Sequence, residues 1–404
     1  MRALLISLYF PPDINGVSTR AYNCARALVL QGWKVTVISA FPNYPNGYHS
    51  IKHKNKVTYR EELDGINIIR TWVPNLPHIP ISRRIIIYFI FMLSSLLALS
   101  LVKRAEIIFA MNPSFFAFYP ALIYSMFTRK RIVRNVDDLW PEVFYDMGIV
   151  KSSLFRRLLD KVSYLSYRIP KIIVPVSNGY IRTLTDKYKV PKEKIHVIEH
   201  GVDITKFKRN VLSLDSKLKK VAMYSGNISE AYDLELVVHT AQILCNEPIL
   251  FIIRGTGPDT QKIRSMIDTY GLSNIEIKTD VLSQQDLVSF MNSADIFLLP
   301  MNLSPFGATA DMGLPTKTLE YQALGKPIIC VSKGEAARYV IKTKSGLVIS
   351  KRDPKELAAL LLLLMNDVNL SEILGKNGLE NITNNLTLEA IGKRFTAVIF
   401  KAIQ

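Results

Sequence analysis

Short apolar runs alternate with amphipathic helical stretches along most of this chain, and the alternation starts again near residue 203. Strand–helix–strand repeats of this kind are typical of parallel sheets covered by helices. In the first half, the runs predicted to be strands are Ala3–Phe10, Lys34–Ser39, Glu106–Met111, Arg131–Val136 and Lys171–Val176. In the second half they are Val221–Tyr224, Pro248–Ile253, Ile275–Lys278, Asp295–Pro300 and Pro327–Val331.

The restart predicts an α/β chain with two doubly wound, Rossmann-like domains that face each other across a cleft. The first domain is predicted to span residues 1–203 and the second 204–387, and a polar linker follows the restart at Lys206–Lys220. The last helix, Leu388–Ile403, is predicted to cross back onto the first domain. A chain of 404 residues is long enough for two domains of ordinary size.

The net charge of +17 is concentrated in the first half, where residues 1–205 carry 28 Lys and Arg against 14 Asp and Glu. We therefore expect this half to face an anionic partner. Nucleic acid is not predicted, because no zinc-finger, basic-zipper or helix-turn-helix spacing occurs. The basic residues lie beside long apolar stretches, which favours an anionic membrane surface. Three distant cysteines argue against disulfides and zinc and fit a reducing compartment. Together with the basic first half, this predicts a cytoplasmic protein that is peripheral to the inner face of the membrane.

Two segments are candidates for that membrane contact. Ile85–Val102 is 18 residues long without a charge, so it could be a helix of the domain core or surface, a helix that dips into one leaflet, or a membrane span. Spanning would place a bilayer between two strands of one sheet. Ser152–Arg168 is a basic amphipathic helix that could lie on anionic lipid or form a solvated face. The residues predicted to contact acceptor or membrane are Arg83, Arg84, Arg156, Arg157 and Lys161.

The stretch Gly313–Pro327 carries the most specific chemistry. A loop rich in Gly and Pro leads from a strand into a short helix, and the free N–H groups of a helix N-terminus bind anions. Lys317 adds a positive charge, and Glu320 can accept hydrogen bonds from a ribose diol. These parts could hold a nucleotide diphosphate with a sugar attached. The alternative is an ordinary loop-to-helix turn with an exposed glutamate.

Other loops at strand ends contain glycine or aspartate residues that could contact a ligand. Gly16 follows the first strand and would let a substrate approach the backbone, and Arg20 in the first helical turn can reach a phosphate, unless the segment is only an Asn-Gly turn. Asp137 and Asp138 are adjacent, which raises the pKa of at least one of them and suits a group that orients or deprotonates a substrate hydroxyl. A helix cap is the alternative. In the second half, phosphates and sugars are expected at Ser225-Gly226-Asn227 and at Arg254-Gly-Thr-Gly257.

The motifs and their order resemble a known family. They are Phe10-Pro-Pro, Asp138-Leu-Trp-Pro, His196-Val-Ile-Glu-His-Gly-Val-Asp203, Tyr224-Ser-Gly-Asn, Arg254-Gly-Thr-Gly-Pro and Leu314-Pro-Thr-Lys-Thr-Leu-Glu320-Tyr-Gln-Ala-Leu-Gly-Lys-Pro327. The chain resembles a family 4 glycosyltransferase of the GT-B fold, in the branch that builds bacterial surface polysaccharides from UDP-activated amino sugars. The resemblance implies retaining, metal-independent transfer, with the donor nucleotide in the second domain and the acceptor on the first.

The resemblance also implies roles for individual residues. Glu320 matches the second glutamate of the family's Glu-x7-Glu motif and would bind the ribose, whereas Met312 stands where the first is expected and Asp311 is its substitute. The family's Arg and Lys pair after Ser225-Gly226 is missing. The predicted catalytic residues are Asp137, Asp138 and Glu320, with no metal ligands. The predicted donor-binding residues are Gly16, Gly226, Asn227, Arg254, Asp311, Pro315, Thr316, Lys317, Thr318, Leu319 and Glu320.

The function predicted from these features is transfer of a sugar, in particular an N-acetylamino sugar, from a UDP-sugar to a lipid-linked or glycan acceptor at the cytoplasmic membrane face. No cofactor besides the donor substrate is expected. A non-catalytic binder of sugar nucleotides is an alternative that Met312 and the missing pair favour. A nucleotide-sugar epimerase of the same fold is another alternative.

Overall fold

The computed structural model describes residues 1–44, 55–77, 81–111, 114–146, 148–208, 219–303 and 311–403. The chain divides into two compact units. Unit 1 comprises Met1–Gly201 together with Leu388–Gln404, and unit 2 comprises Val202–Thr387. The predicted boundary between 203 and 204 lies two residues after the observed one, and most of the predicted polar linker lies outside the described residues.

Unit 1 is a seven-stranded sheet in the order β3-β4-β2-β1-β5-β6-β7, parallel except for the antiparallel pair β3 and β4. Its strands are β1 (Arg2–Ile6), β2 (Lys34–Ala40), β3 (Thr58–Leu63), β4 (Ile66–Thr71), β5 (Ile107–Ala110), β6 (Arg131–Val136) and β7 (Ile172–Pro175). Its helices are α1 (Gly16–Leu30), α2 (Ile81–Leu99), α3 (Ser114–Thr128), α4 (Glu142–Asp146), α5 (Ser153–Arg168) and α6 (Ile181–Asp186), and the last helix of the chain, Leu388–Ile403, packs against α1.

Unit 2 is a six-stranded, entirely parallel sheet in the order β10-β9-β8-β11-β12-β13. Its strands are β8 (Lys220–Ser225), β9 (Ile249–Arg254), β10 (Ile275–Lys278), β11 (Ile296–Pro300), β12 (Ile328–Val331) and β13 (Gly346–Ile349). Its helices are α7 (Leu234–Ile243), α8 (Thr260–Tyr270), α9 (Gln284–Met291), α10 (Thr316–Ala323), α11 (Glu335–Thr343), α12 (Pro354–Asn366) and α13 (Val368–Asn381), and the last helix of the chain is α14 (Leu388–Ile403). The prediction of two parallel α/β domains is confirmed.

The alternation of apolar strands and amphipathic helices places the core of each unit. Strands β1, β5 and β11 are buried almost throughout, because helices cover both faces of a parallel sheet. In unit 1, α2 and α3 pack together on the face that holds Leu4 and Ile6. The carboxyl ends of the parallel strands then carry the strand-end loops, so candidate binding residues collect at one edge of each sheet.

Helix α2 decides between the predictions for Ile85–Val102. Among the described residues, its stretch Ser82–Leu99 is long and apolar enough to cross a membrane, and 33% of that stretch is buried within the protein. The pair of helices from Pro354 passes the same test only as one span bent by 97°. Ile87 and Phe91 lie fully buried in the unit 1 core, so one face of α2 covers the sheet, as expected for a core or surface helix.

Candidate active site

Helix α10 is fixed at the carboxyl edge of the unit 2 sheet by Tyr321. The Tyr321 ring stacks on Phe297 of β11 with centroids 4.0 Å apart, and its hydroxyl donates to the carbonyl of Ser225 at 3.0 Å. The same hydroxyl accepts from the Ser225 N–H at 2.9 Å. Pro315 provides the extended N-cap residue, from which the helix begins at Thr316. The helix N-terminus is therefore held beside the end of β8.

Lys317 lies in a cage formed by two tyrosines and a glycine. Its Nζ donates to the Tyr224 hydroxyl at 2.8 Å and lies 3.5 Å from the centroid of the Tyr232 ring. A Cβ at Gly226 would come within 2.2 Å of this Nζ. The Tyr224 hydroxyl donates to the carbonyl of Asn227 at 2.6 Å, so its oxygen is oriented to accept from the lysine. Burial lowers the pKa of Lys317 to about 7.

Glu320 lies one turn further along α10, half-buried. Burial raises the pKa of its carboxyl, and the charge of Lys317 opposes that rise. Among the described residues, no hydrogen-bond donor is recorded for this carboxyl. A carboxylate held next to an ammonium, with its acceptor positions open, is suited to bind a vicinal diol such as that of a ribose.

The remaining predicted donor-binding residues around α10 differ in how far they are exposed to solvent. Thr318 and Leu319 are fully buried, so contact with a donor would have to come from their backbone rather than from their side chains. Thr316 and Pro315 are half-buried at the helix start, where their backbone can face an anion. Asp311 is exposed, and its carbonyl accepts from the N–H of Glu335 at 2.7 Å.

The guanidinium of Arg254 is held by contacts within unit 2. It donates to the Asp280 carboxylate at 3.2 Å and to the Asp280 carbonyl at 2.7 Å, and it lies 4.9 Å from the Phe290 ring. A buried arginine with these partners holds the loop after β10 in place. Lys317 is therefore the better placed of the two cations predicted to neutralise a diphosphate.

The glycines of the strand-end loops serve backbone packing. A Cβ on Gly255 would lie 1.8 Å from the carbonyl oxygen of Gly226, and one on Gly257 would lie 2.1 Å from that of Ile228. The backbone pairing of β8 and β9 thus continues past the strand ends, with the Ile228 N–H donating to Thr256 at 3.0 Å. The sequence predicted phosphates and sugars at these loops, and at Gly255 and Gly257 the neighbouring loop occupies the space that a side chain would take.

Replacing Gly255 by alanine is expected to destabilise unit 2 by about 3 kcal/mol, from a backbone collision added to a left-handed φ of 138°. Its melting transition should fall by roughly 6–12 °C. Gly271→Ala is the matched control, because Gly271 also has a positive φ, of 60°, but open space around it. That control should cost only about 1 kcal/mol. Equal melting temperatures for the two variants, measured by calorimetry, would contradict the packing role of Gly255.

In unit 1, Gly16 lies exposed at the N-terminus of α1, as the loop prediction requires. Arg20, predicted to reach a phosphate, is instead fully buried. Its guanidinium donates to the carbonyls of Glu199 at 2.7 Å and Ile198 at 2.9 Å, and to Asn135 Oδ1 at 2.9 Å. That prediction is wrong, because tertiary acceptors already use its N–H groups.

The acid pair after β6 consists of two unlike carboxyls. Asp137 is buried against Arg20, with 3.5 Å between its Oδ1 and the Arg20 Nε. Asp138 is reached by solvent, although protein atoms crowd its carboxyl. This desolvation, together with the charge of Asp137, raises the pKa of Asp138 to about 6. A carboxyl that titrates near neutral pH can take part in proton transfer.

The basic residues predicted to contact acceptor or membrane lie in two places. Arg83 is exposed at the start of α2, whereas Arg84 is half-buried there and its charge opposes the rise in the pKa of the buried Tyr88. The three on α5 are exposed: Arg156, Arg157 and Lys161.

Unit 2 also contains a cavity of about 300 Å³. Two ion pairs cross its wall, Arg352 to Asp233 at 2.6 Å and Lys262 to Glu235 at 2.5 Å. The predicted donor residues do not line it. Over the described ranges, no group of three or more His, Cys, Asp and Glu side chains is arranged to hold a metal ion.

Three tyrosines of the site were missed by sequence reasoning: Tyr224, Tyr232 and Tyr321. Tyr224 ends an apolar strand and Tyr321 follows Glu320, so each looks like an ordinary core residue in the sequence. Tyr232 reaches Lys317 only because its backbone bridges to Met301 after β11. A lysine followed four residues later by tyrosine, on a helix above a sheet, was the available signal.

Two family profiles match this chain. The profile described as Glycosyltransferase Family 4 matches residues 14–206, and the one described as Glycosyl transferases group 1 matches residues 205–381. Together they span nearly all of both units. The chain belongs to the family 4 glycosyltransferases, as its motifs predicted.

Curated relatives carry the same assignment. Glycosyltransferase WcaL of Escherichia coli K12, assigned to colanic acid biosynthesis, is 26% identical over 220 residues, which are 54% of this chain and 52% of that protein. WcaI of the same strain, assigned to the same process, is 24% identical over 342 residues, which are 80% of this chain and 82% of that protein. The match therefore spans about half the length of WcaL and most of WcaI.

Solved structures share the fold. Sucrose-phosphate synthase from Thermosynechococcus elongatus has a TM-score of 0.76 at 16% identity and covers 99% of this chain and 98% of its own. HepE of Anabaena, solved in complex with UDP-glucose, has a TM-score of 0.69 at 14% identity and covers 99% of this chain and 100% of its own. These similarities confirm the predicted GT-B fold.

Proposed function

We propose that this chain transfers a sugar from a UDP-sugar to a glycan or lipid-linked acceptor during the assembly of a surface polysaccharide. The observation that carries the proposal is the pairing of Glu320 with Lys317 at the N-terminus of α10. One side chain accepts from hydroxyl groups and the other opposes negative charge. A nucleoside diphosphate carries both hydroxyl groups and negative charge.

The donor end of the reaction follows from this arrangement. The ribose diol donates to the Glu320 carboxylate, and the diphosphate faces the first turn of α10, where backbone N–H groups and the positive end of the helix dipole favour an anion. Lys317 adds a positive charge in its protonated form, which the negative diphosphate favours. As the bond to the sugar breaks, charge grows on the leaving diphosphate, and a cation fixed beside it stabilises that state.

The identity of the donor is proposed from the relatives and from the motifs. HepE was solved with UDP-glucose, which favours UDP as the nucleotide. The amino sugar, the retention of anomeric configuration and the independence from metal follow from the motif resemblance. For the acceptor, we propose that Asp138 orients or deprotonates the attacking hydroxyl, because its carboxyl is open to solvent and titrates near pH 6.

A panel of nucleotides tests the donor proposal. A UDP-sugar present at a hundred times its dissociation constant should stabilise unit 2 by about 2.7 kcal/mol and raise its melting temperature by roughly 5–10 °C. GDP- and ADP-sugars at the same concentration should shift it less, and Glu320→Ala should abolish the shift. Equal shifts for all bases would contradict the choice of UDP. Product analysis by NMR then reports transfer and anomeric configuration, and an epimerised donor without acceptor would indicate the epimerase.

We further propose that unit 1 docks on an anionic membrane through α2, α3 and α5. These neighbouring helices expose large apolar side chains, such as Phe127 with 86% and Leu154 with 76% of its surface exposed. The others are Ile86, Phe89, Leu93, Leu97, Met126, Phe155 and Leu158. Exposed arginines lie among them on α5, and apolar residues mixed with basic ones suit the interface of an anionic bilayer.

Co-sedimentation with vesicles tests the docking proposal. Arg156→Glu combined with Arg157→Glu should weaken binding to phosphatidylglycerol vesicles by about 30-fold, because each lost cation contributes about 1 kcal/mol. Lys342→Glu combined with Lys355→Glu is the matched control, since it changes the net charge equally on exposed positions of unit 2. Equal losses for both double variants would mean that net charge, rather than the α5 surface, governs binding.

A further inference from the structure

Arg20 joins three parts of unit 1 through one buried guanidinium. Its Nη1 and Nη2 donate to the carbonyls of Glu199 and Ile198, in the segment that leads to the end of unit 1 at Gly201. Its Nε and Nη2 donate to Asn135 Oδ1 at 3.2 and 2.9 Å, at the end of β6. The ring of Phe395 on α14 lies 5.4 Å from the guanidinium carbon.

Asp137 completes this cluster. Its Oδ1 accepts from the Asn135 amide at 2.5 Å and lies 3.5 Å from the Arg20 Nε, and its carbonyl accepts from Tyr180. Other charges that act on Arg20 are Glu199, which favours its charged form, and Arg394, which opposes it. A buried arginine keeps its proton, so it needs a fixed anion nearby. Asp137 fills that role and is not open to a substrate hydroxyl.

Asp138 has no comparable partner among the described residues. It is exposed where Asp137 is buried, although the two are neighbours in the chain. Both residues lie in the bend that directly follows β6, so anchoring the Asp137 side chain restrains the backbone that carries Asp138. The anchored residue and the open residue therefore behave as one unit.

We propose that Arg20 is a positioning residue: by holding Asp137 and the segment Ile198–Gly201 together, it aims Asp138 at the acceptor and leaves Asp138 as the single reacting carboxyl of the pair. The inference rests on the proposed sugar transfer. In this proposal Asp137 is structural and Asp138 reacts with the acceptor, a difference that the sequence alone did not indicate. Arg20 affects the reaction through Asp137 without contacting a substrate.

The test compares four variants and one control variant by kinetics and by carbon-13 NMR of labelled aspartates. Asp138→Asn should lower kcat by about 10²-fold or more with the donor KM unchanged, as expected for loss of a general base. It should also remove the carboxyl resonance that titrates near pH 6. Asp137→Asn should keep that resonance with a lower midpoint, because a neighbouring charge is lost. Its kcat should fall by only about tenfold.

Arg20→Met leaves Asp137 buried without its cation, so we expect a lower kcat and a lower melting temperature. Adding Asp137→Asn to Arg20→Met should recover part of both, since the unpaired carboxyl is then removed. Arg26→Met on the same helix is the control, because the Arg26 guanidinium donates to the carbonyl of Asp64 rather than to Asn135 or to the segment Ile198–Glu199. It should match wild type.

Two results would overturn the proposal. One is an Asp137→Asn variant as inactive as Asp138→Asn with its near-neutral resonance gone. The other is a double variant that recovers neither kcat nor melting temperature over Arg20→Met. The NMR titration and the melting temperatures need no transfer reaction. A protein that transfers no sugar therefore fails the proposed function separately from this inference.

Discussion

Replacing Glu320 by alanine is expected to lower kcat/KM for the UDP-sugar by about 10²-fold or more. Each hydrogen bond from a ribose hydroxyl to a carboxylate contributes about 1.5–3 kcal/mol, and two of them are lost together. The fold should survive, because burial raises the pKa of this carboxyl and the ionised group therefore costs stability at neutral pH. We expect a melting temperature equal to or above that of wild type.

Glu320→Gln is the control for this change. It keeps the shape and one acceptor oxygen, so its loss of kcat/KM should lie between those of wild type and Glu320→Ala. Steady-state kinetics with a labelled donor, together with calorimetry, separates the two effects. Unchanged turnover in Glu320→Ala would refute the assignment of Glu320 to the ribose.

Affinity for a UDP-sugar is expected to fall by up to about 50-fold between pH 7 and pH 9, because the charge of Lys317 is half lost at its pKa of about 7 and almost wholly lost at pH 9. The groups that face this amine are Tyr224, Tyr232 and Glu320. The Tyr224 hydroxyl stays neutral in this range, because burial raises its pKa. The diphosphate of a UDP-sugar lacks a free terminal phosphate, so it does not titrate in this interval.

The stability of the free protein should change in the opposite direction. In the folded state Lys317 releases its proton near pH 7, whereas in the unfolded chain it holds the proton up to about pH 10.4. As the pH rises between these values, the unfolded chain binds one more proton at Lys317 than the folded state does. The free energy of unfolding therefore increases with pH. Calorimetric titration in buffers of different ionisation enthalpy should show proton uptake on donor binding at pH 8.

The Lys317→Met variant is the control for the pH dependence of donor affinity. It should bind the donor weakly at every pH, with no proton uptake and no fall in affinity between pH 7 and pH 9. A wild-type protein whose affinity is flat over this range would show that Lys317 is not the charge that meets the diphosphate.

The sequence predicted most of the fold because parallel strands are signalled locally. Arg131–Val136 and Ile275–Lys278 were predicted with their observed bounds. The hairpin of β3 and β4 was missed, although Asp64 and Gly65 form its turn with positive φ at both residues. An Asp-Gly pair between short strands is a known hairpin signal. Strand β13 was missed as well, because its four residues are too short for a periodic pattern.

The site was predictable only where the chemistry lies within one segment. Lys317 and Glu320 share one helical turn, so their spacing indicated a joint role. Arg20 and Arg254 looked equally suited to phosphate in the sequence, but their acceptors come from residues 178 and 26 positions away. Contacts at that separation carry no local signal. The same holds for the difference between Asp137 and Asp138, which depends on Arg20.

A crystal structure of the chain with a UDP-sugar tests the central claim most directly. We predict that the ribose hydroxyls lie within about 3 Å of the Glu320 carboxylate and that a phosphate oxygen lies at a similar distance from Lys317 Nζ or from the first N–H groups of α10. A nucleotide bound instead in the cavity beside Asp233 and Arg352, with α10 unoccupied, would contradict the account.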